Sequence, residues 1–323
     1  MKGLYSSSGI YLNDEKYVVS GPYKMTSTDY EIEAMLQLKA YCDENGINLL
    51  YVNAPIKYTD DTYFADNFGL ESYGNRNADL FLSRLDEKNI NYIDLRTCMQ
   101  QDGMNSWDMF YRTDHHWTTV SGLWAAKQIA IGLNDYCNYN IDISLYDSDN
   151  YQYTYYDTCW LGEQGRKVSA KYIGLDNYIV VSPLFDTDYI ITDPFGNKSI
   201  GNFNIMINYD LYNLENNIYT NRSWHYSYLP QGLNVTKINN NLNDYGNILY
   251  LGDSYSYVVV PFLSLGVSNI TGMIRRECRL SLYEYLDNHD IDTIVLTYAE
   301  FMIGAHDDPN SANYKMFEFN SSE

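Results

Sequence analysis

What most constrains the fold of this 323-residue chain is a repeated switch from helical hydrophobic spacing to a short unbroken apolar run, near both ends of the sequence. Residues 28–45 place Ile32, Met35, Leu36 and Cys42 behind Thr28 and Glu31, a capping-box pattern, and Asn45-Gly46 supplies a stop. The run Ile47-Asn48-Leu49-Leu50-Tyr51-Val52 follows at once and reads as a strand. A helix over about 78–88, a strand at 92–95 and a helix from about Thr119, with Val120, Leu123, Ala126, Ala130 and Leu133 on one face, continue the alternation. It resumes with strands at 247–251, 267–272 and 291–296 and a helix at 279–289. Parallel strands need a crossover of a dozen or so residues, usually a helix, so this alternation predicts an α/β fold with a parallel sheet and flanking helices.

Between about 140 and 245 the texture changes to short Tyr, Ile and Thr segments broken by Asn and Gly, with Asp193-Pro194-Phe195-Gly196-Asn197 between two apolar runs. These read as hairpins, hence a β-rich insertion in or beside the α/β core. Residues 307–323 are polar and read as a frayed tail.

The formal net charge of -21 argues strongly against a nucleic-acid partner, which needs a basic stripe. It also disfavours an anionic polymer unless a local patch offsets the field. Arg275, Arg276 and Arg279 are the first candidates for such a patch, with Arg166, Lys167 and Lys171 second; ordinary solvated charges are the competing reading. The five cysteines, Cys42, Cys98, Cys137, Cys159 and Cys278, are scattered, which fits neither a disulfide framework nor a zinc ribbon. No apolar run approaches the ~20 residues of a membrane span. Tyrosine is the outlier at 35 copies; most fill strands, while a few near a site would offer flat amphipathic surface to sugar rings.

Two polar motifs carry the chemistry. Gly252-Asp253-Ser254-Tyr255-Ser256 follows the apolar run at 247–251 and precedes a helix-compatible segment, a corner that exposes a serine above a sheet beside backbone amides. Thr113-Asp114-His115-His116-Trp117-Thr118 precedes a helix start and supplies a histidine with a carboxylate two residues before it. Together they hold a nucleophile, a base and an orienting acid. Gly-Asp-Ser is also an ordinary turn tripeptide in which Asp or Ser caps a helix. Asp-His-His could also ligate zinc, but no further His, Cys or Glu stands at ligand spacing, so no metal is expected. Asn53 and Lys57 follow a strand end, where open parallel sheets collect functional groups. Asn53 could donate to an oxyanion, and Lys57 could meet a substrate or seal the loop by an ion pair; a turn with a surface lysine is the plainer alternative.

The tetrapeptide Asp114-His115-His116-Trp117, its lead-in Asp108-Met109-Phe110-Tyr111-Arg112-Thr113 and the downstream Gly252-Asp253-Ser254-Tyr255-Ser256 resemble the bacterial family named for its Asp-His-His-Trp motif. That family is similar to the alginate and exopolysaccharide O-acetyltransferases of the SGNH-like group. Pro55-Ile56-Lys57 and the stretch 275–298 add to a likeness spanning about 10–300. The resemblance implies an SGNH-type α/β domain with a Ser254-His116-Asp114 triad in permuted order, the histidine block preceding the serine block. Chain order does not constrain a triad. No clear Gly and Asn blocks mark an oxyanion hole; the amides of Ser254 and Tyr255, with Asn53, are the candidate donors. His115, Trp117, Lys57, Arg275, Arg276 and Arg166 are the candidate substrate contacts.

The organisation expected is an N-terminal arm over 1–24, a catalytic domain over 25–306 holding the insertion, and the tail. Relatives usually carry a membrane anchor just before a segment like Gly9–Val18, so an excised domain from the extracellular or cell-envelope face is expected. The implied activity is transfer of an acetyl group through an acetyl-serine to an exported polysaccharide. No bound cofactor is expected; a membrane-bound O-acyltransferase partner delivers the acetyl group. A carbohydrate acetylesterase and a non-catalytic glycan-binding or scaffold protein are the alternatives.

Overall fold

The computed structural model describes residues 6–7, 9–209, 227–278, 280–304 and 311–320. In chain order the strands are β1 (Ser6–Ser7), β2 (Ile10–Leu12), β3 (Val18–Ser20), β4 (Asn48–Ala54), β5 (Asn91–Asp94), β6 (Tyr151–Trp160), β7 (Asp176–Pro183), β8 (Tyr189–Thr192), β9 (Lys198–Gly201), β10 (Asn234–Asn240), β11 (Asn247–Gly252), β12 (Asn269–Met273) and β13 (Thr293–Ala299). Eight of them form one sheet in the order β5-β4-β13-β11-β12-β10-β8-β9. The first five are parallel to one another. Each of the last three is antiparallel to its neighbour.

The helices are α1 (Asp29–Asn45), α2 (Thr62–Phe68), α3 (Gly74–Glu87), α4 (Leu95–Gln101), α5 (Thr119–Cys137), α6 (Glu163–Val168), α7 (Ala170–Ile173), α8 (Val260–Leu263) and α9 (Leu282–Asp287). Successive strand residues face opposite sides of a sheet, and β4 shows what covers each. The Leu50 side chain reaches Gly132 of α5, whereas the Tyr51 ring meets Phe81 of α3 edge-on at 5.1 Å. With both faces covered, the central strands are buried throughout and read as continuous apolar runs rather than alternating ones. Among the described residues, no helix is long and apolar enough to cross a membrane.

Several local expectations are corrected. Thr28 caps α1 by position only: its Oγ1 accepts from Arg84 Nη1 at 2.9 Å, and Glu31 Oε1 accepts from Gly304 N at 2.7 Å. The capping-box residues are thus spent on tertiary contacts. The segment after Ser254 is a 3-10 turn, Ser254–Val258, followed by the four-residue α8, not a regular helix. Residues 140–245 supply the separate β6-β7 pair and extend the central sheet through the β8-β9 hairpin and β10. The tail is not frayed over 311–320. Met316, Phe317 and Phe319 are buried, Tyr298 Oη donates to Met316 O at 2.9 Å, and Leu282 N donates to Phe319 O at 3.0 Å. Three apolar residues in a polar stretch are too few to show periodicity, but enough to fill a groove beside β13. All five cysteines are free thiols.

Candidate active site

The serine turn is built by the end of β11. Asp253, fully buried, accepts from Tyr255 N through Oδ1 and from Ala299 N through Oδ2, both at 2.8 Å. One carboxylate therefore caps the 3-10 turn and ties it to the end of the neighbouring strand β13. Burial raises the Asp253 carboxyl above its usual range, against the pull of those two amides. Gly252 has to be glycine, because a Cβ there would lie 1.9 Å from Ser256 Oγ. The tight corner leaves Ser254 half-buried at the carboxyl end of a parallel strand, where open α/β sheets bind ligands.

The histidine loop is held by contacts remote in sequence. Asp176, at the start of β7, accepts from Arg112 N at 3.0 Å, Thr113 N at 2.8 Å and Thr113 Oγ1 at 2.5 Å. Thr113 Oγ1 in turn accepts from Gly162 N at 2.7 Å, and Asp114 Oδ2 accepts from Glu163 N at 2.7 Å, at the start of α6. A Cβ on Gly162 would lie 2.5 Å from Asp114 Cβ, so only glycine allows this approach. Thr118 Oγ1 caps α5 by accepting from Ser121 N at 3.2 Å. Two bonds join loop to serine turn: Trp117 Nε1 donates to Tyr255 O at 3.0 Å, and Tyr255 Oη donates to His115 O at 2.7 Å.

These supports bring the motifs together. His116 Nε2 lies 2.8 Å from Ser254 Oγ, and His116 Nδ1 lies 2.6 Å from Asp114 Oδ1, which also accepts from His116 N at 3.1 Å. Burial alone would raise the Asp114 carboxyl. The charges of His116 and His115 and the bonds from His116 overcome it and hold the group well below the usual carboxylate range. A hydroxyl bonded to one imidazole nitrogen, with an ionised carboxylate on the other, is the arrangement in which an imidazole can take the hydroxyl's proton.

The remaining candidates separate. The Ser254 N–H makes no hydrogen bond among the described residues, so it is free to meet an oxyanion. The Tyr255 N–H is not, because Asp253 holds it. Asn53 is fully buried and donates to Asp94 Oδ1 at 3.1 Å; it stands opposite Tyr298, two strand spacings or roughly 10 Å from the β11 end. It is not placed to reach the serine. Trp117 is buried and locks the loop rather than meeting solvent. Lys57 is buried too. It seals the loop not by an ion pair but by donating to Val18 O at 2.6 Å and Arg112 O at 3.3 Å. Burial lowers its pKa to about 7, against Asp176 and Asp114. Arg275 is buried, donating to Leu280 O at 2.8 Å and Glu318 O at 2.7 Å, so it fastens the tail instead of a substrate. Arg276 acts electrostatically on His115 and Asp253. Arg166 lies on α6, beyond the amides that meet Asp114. Arg279 lies outside the described residues.

His115 does not diverge from His116, as an extended loop would require. The loop bends, the ring centroids lie 3.9 Å apart, and His115 Nδ1 is 3.3 Å from Asp114 Oδ1. Burial and the neighbouring His116 push His115 down to about 3, against Asp114. It faces a groove of about 390 Å³ bordered by Gly21, Tyr23 and Gln164. Asp114, His115 and His116 bring three ligand atoms within 4.8 Å. The 2.6 Å between Asp114 Oδ1 and His116 Nδ1 suits a hydrogen bond, whereas tetrahedral zinc ligands lie roughly 3.3 Å apart. Sequence reasoning missed Asp176, Gly162 and Glu163, which lie far from either motif and carry no local signal.

Residues 11–140 match the family model of the SGNH hydrolase-like domain of acetyltransferase AlgX. The fold is SGNH-like. The matched stretch contains the histidine loop and ends before the serine turn. The SGNH-like domain is similar in structure to Bacillus cereus PatB1 with a sulfonyl adduct, at TM-score 0.75 and 18% identity over 97% of this chain and 98% of that one. A DHHW family protein from Eubacterium siraeum is similar at TM-score 0.68 and 13% identity, covering 99% of this chain and 98% of that one. The O-acetyltransferase domain of Pseudomonas putida AlgJ is similar at TM-score 0.54 and 14% identity, covering 96% and 99%. At these identities the likeness shows the SGNH-like fold. No curated protein matches the chain significantly.

Proposed function

We propose that the protein is a serine O-acetyltransferase that moves an acetyl group to hydroxyls of an exported or cell-surface polysaccharide. The observation that carries this reading is the 2.8 Å contact of Ser254 Oγ with His116 Nε2, backed by Asp114 at 2.6 Å. Ser254 Oγ attacks the acetyl carbonyl of the donor while His116 Nε2 takes its proton. The tetrahedral oxyanion is held by the Ser254 N–H. As the intermediate collapses, His116 returns the proton to the departing donor group and an acetyl-serine remains. A sugar hydroxyl then attacks, His116 takes its proton, and Ser254 Oγ leaves with that proton as the ester forms on the sugar. Asp114 holds His116 Nδ1–H throughout and stabilises the imidazolium. The chemistry draws on no cofactor.

The match to an acetyltransferase domain model and the fold shared with the AlgJ O-acetyltransferase domain support transfer over hydrolysis. By the same likeness, a membrane-bound O-acyltransferase partner delivers the acetyl group, and the domain works on the extracellular or envelope face. The test is incubation with an aryl acetate and candidate oligosaccharides, followed by mass spectrometry of the intact protein and of its product mixture. One added acetyl on Ser254, absent from Ser254→Ala, and acetylated oligosaccharide among the products are expected. Acetate alone, with every acceptor left unmodified, would make the protein an esterase.

A further inference from the structure

A second cavity, of about 460 Å³, is lined by Tyr23, Thr26, Asn77, Glu300, Phe301 and Asn313, among others. It abuts the candidate active site through two aromatic side chains. The Phe301 ring stands edge-on to both His115 and Tyr255 at 6.1 Å, and Tyr23 also borders the groove beside His115.

Two polar atoms of residues lining this cavity are buried without a hydrogen-bond partner: Glu300 Oε2 and Thr26 Oγ1. Buried polar groups are nearly always paired, so two orphans on residues lining one cavity mark it as a place where a side-chain rotation would let a ligand hydroxyl complete the bonding. Glu300 is 1% exposed, and its other oxygen accepts from Ile56 N at 3.3 Å. Burial raises its pKa to about 8, against the Arg96 guanidinium, which favours the protonated acid, whose O–H can donate. Thr26 brings a hydroxyl that both donates and accepts. Flat aromatic walls with polar donors and acceptors match a polyhydroxyl ring, and among the described lining residues Lys24 is the one cation that could meet a carboxylate.

We propose that this cavity is an acceptor subsite for one uncharged sugar ring, with Glu300 and Thr26 bonding its hydroxyls and Phe301 and Tyr23 packing on its face. The inference rests on the transferase reading but is tested apart from its chemistry, by binding. The Ser254→Ala protein is titrated by calorimetry with a β-1,4-glucan tetrasaccharide, an N-acetylglucosamine tetrasaccharide and a tetrauronate. At least one neutral tetrasaccharide should bind more tightly than the tetrauronate. Adding Thr26→Val or Glu300→Leu should weaken it by roughly tenfold, while Glu300→Gln, which can still donate, stays within about threefold. Thr26→Val, nearly isosteric, decides the matter if Glu300→Leu fails to fold. Unchanged affinity in Thr26→Val, tighter uronate binding or no neutral binding would overturn the subsite. The acetyl-serine assay would be untouched by any of these results, so the two ideas fail separately.

Discussion

The two halves of the candidate site are positioned by opposite means. The serine turn owes its place to sheet register: β11 lies between β13 and β12, and Asp253 bonds the turn to Ala299 on the adjacent strand. The histidine loop has no strand to carry it. It hangs from Asp176, Gly162, Glu163 and Lys57, contributed by three separate stretches of chain. A residue set by a strand end inherits the rigidity of the core. A residue set by pins depends on every pin, and its geometry is the more easily lost.

The largest effect should come where the halves meet. Ser254→Ala and His116→Ala should each lower turnover of an aryl acetate by at least about a thousandfold, and the double variant should be no worse than either, because such residues act as a unit. Additive losses in a double-mutant cycle would show that the halves work independently. Next comes a pin: Gly162→Ala would drive a Cβ into Asp114. We expect turnover to fall roughly tenfold to a hundredfold as the carboxylate shifts. Normal turnover in this variant would show that the loop tolerates a displaced pin.

His115→Ala should be milder, within about tenfold of the parent in turnover, as expected for a neighbour of the relay rather than a member of it. If it removed the acetyl-serine adduct while His116→Ala kept it, the base would be His115. The smallest effect concerns pH. Lys57 has a folded pKa of about 7 against an ordinary 10.5, so above pH 7 the unfolded chain binds the extra proton. Its burial penalty is fully present below pH 7 and is relieved as pH rises toward 10.5, adding at most about 1.4 kcal/mol per pH unit. Denaturant titrations of the parent should show this rise above pH 7, and Lys57→Met should flatten it. Equal slopes would mean that Lys57 does not titrate in this range.

The difference between the halves also explains what could be read in advance. The apolar runs at 47–52, 247–251 and 291–296 fall on β4, β11 and β13, with strand ends displaced by at most three residues. Strands covered on both faces must be apolar throughout, so their presence is written in composition. Gly252-Asp253-Ser254 was legible for the same reason: its turn is local, and the cap and the nucleophile are different residues of one tripeptide. The helix-cap reading of that tripeptide holds for Asp253 while Ser254 faces His116. Tyr255 N and Asn53 as oxyanion donors, and Trp117, Lys57 and Arg275 as substrate contacts, are what the sequence suggests, yet all are consumed by internal bonds. Nothing in a residue's neighbours along the chain records which buried carbonyl or carboxylate it will meet.

By itself, then, the sequence determined the alternation of elements, the parallel sheet and the types of residue able to perform acyl transfer, because hydrophobic period and turn chemistry act over a few residues. Only the tertiary structure decided which histidine nitrogen faces the serine, which amides remain free, that the tail packs, and that Glu300 and Thr26 share a cavity. Those outcomes depend on contacts between residues remote in sequence, such as His116 and Ser254, 138 positions apart, and on burial, which no local pattern encodes.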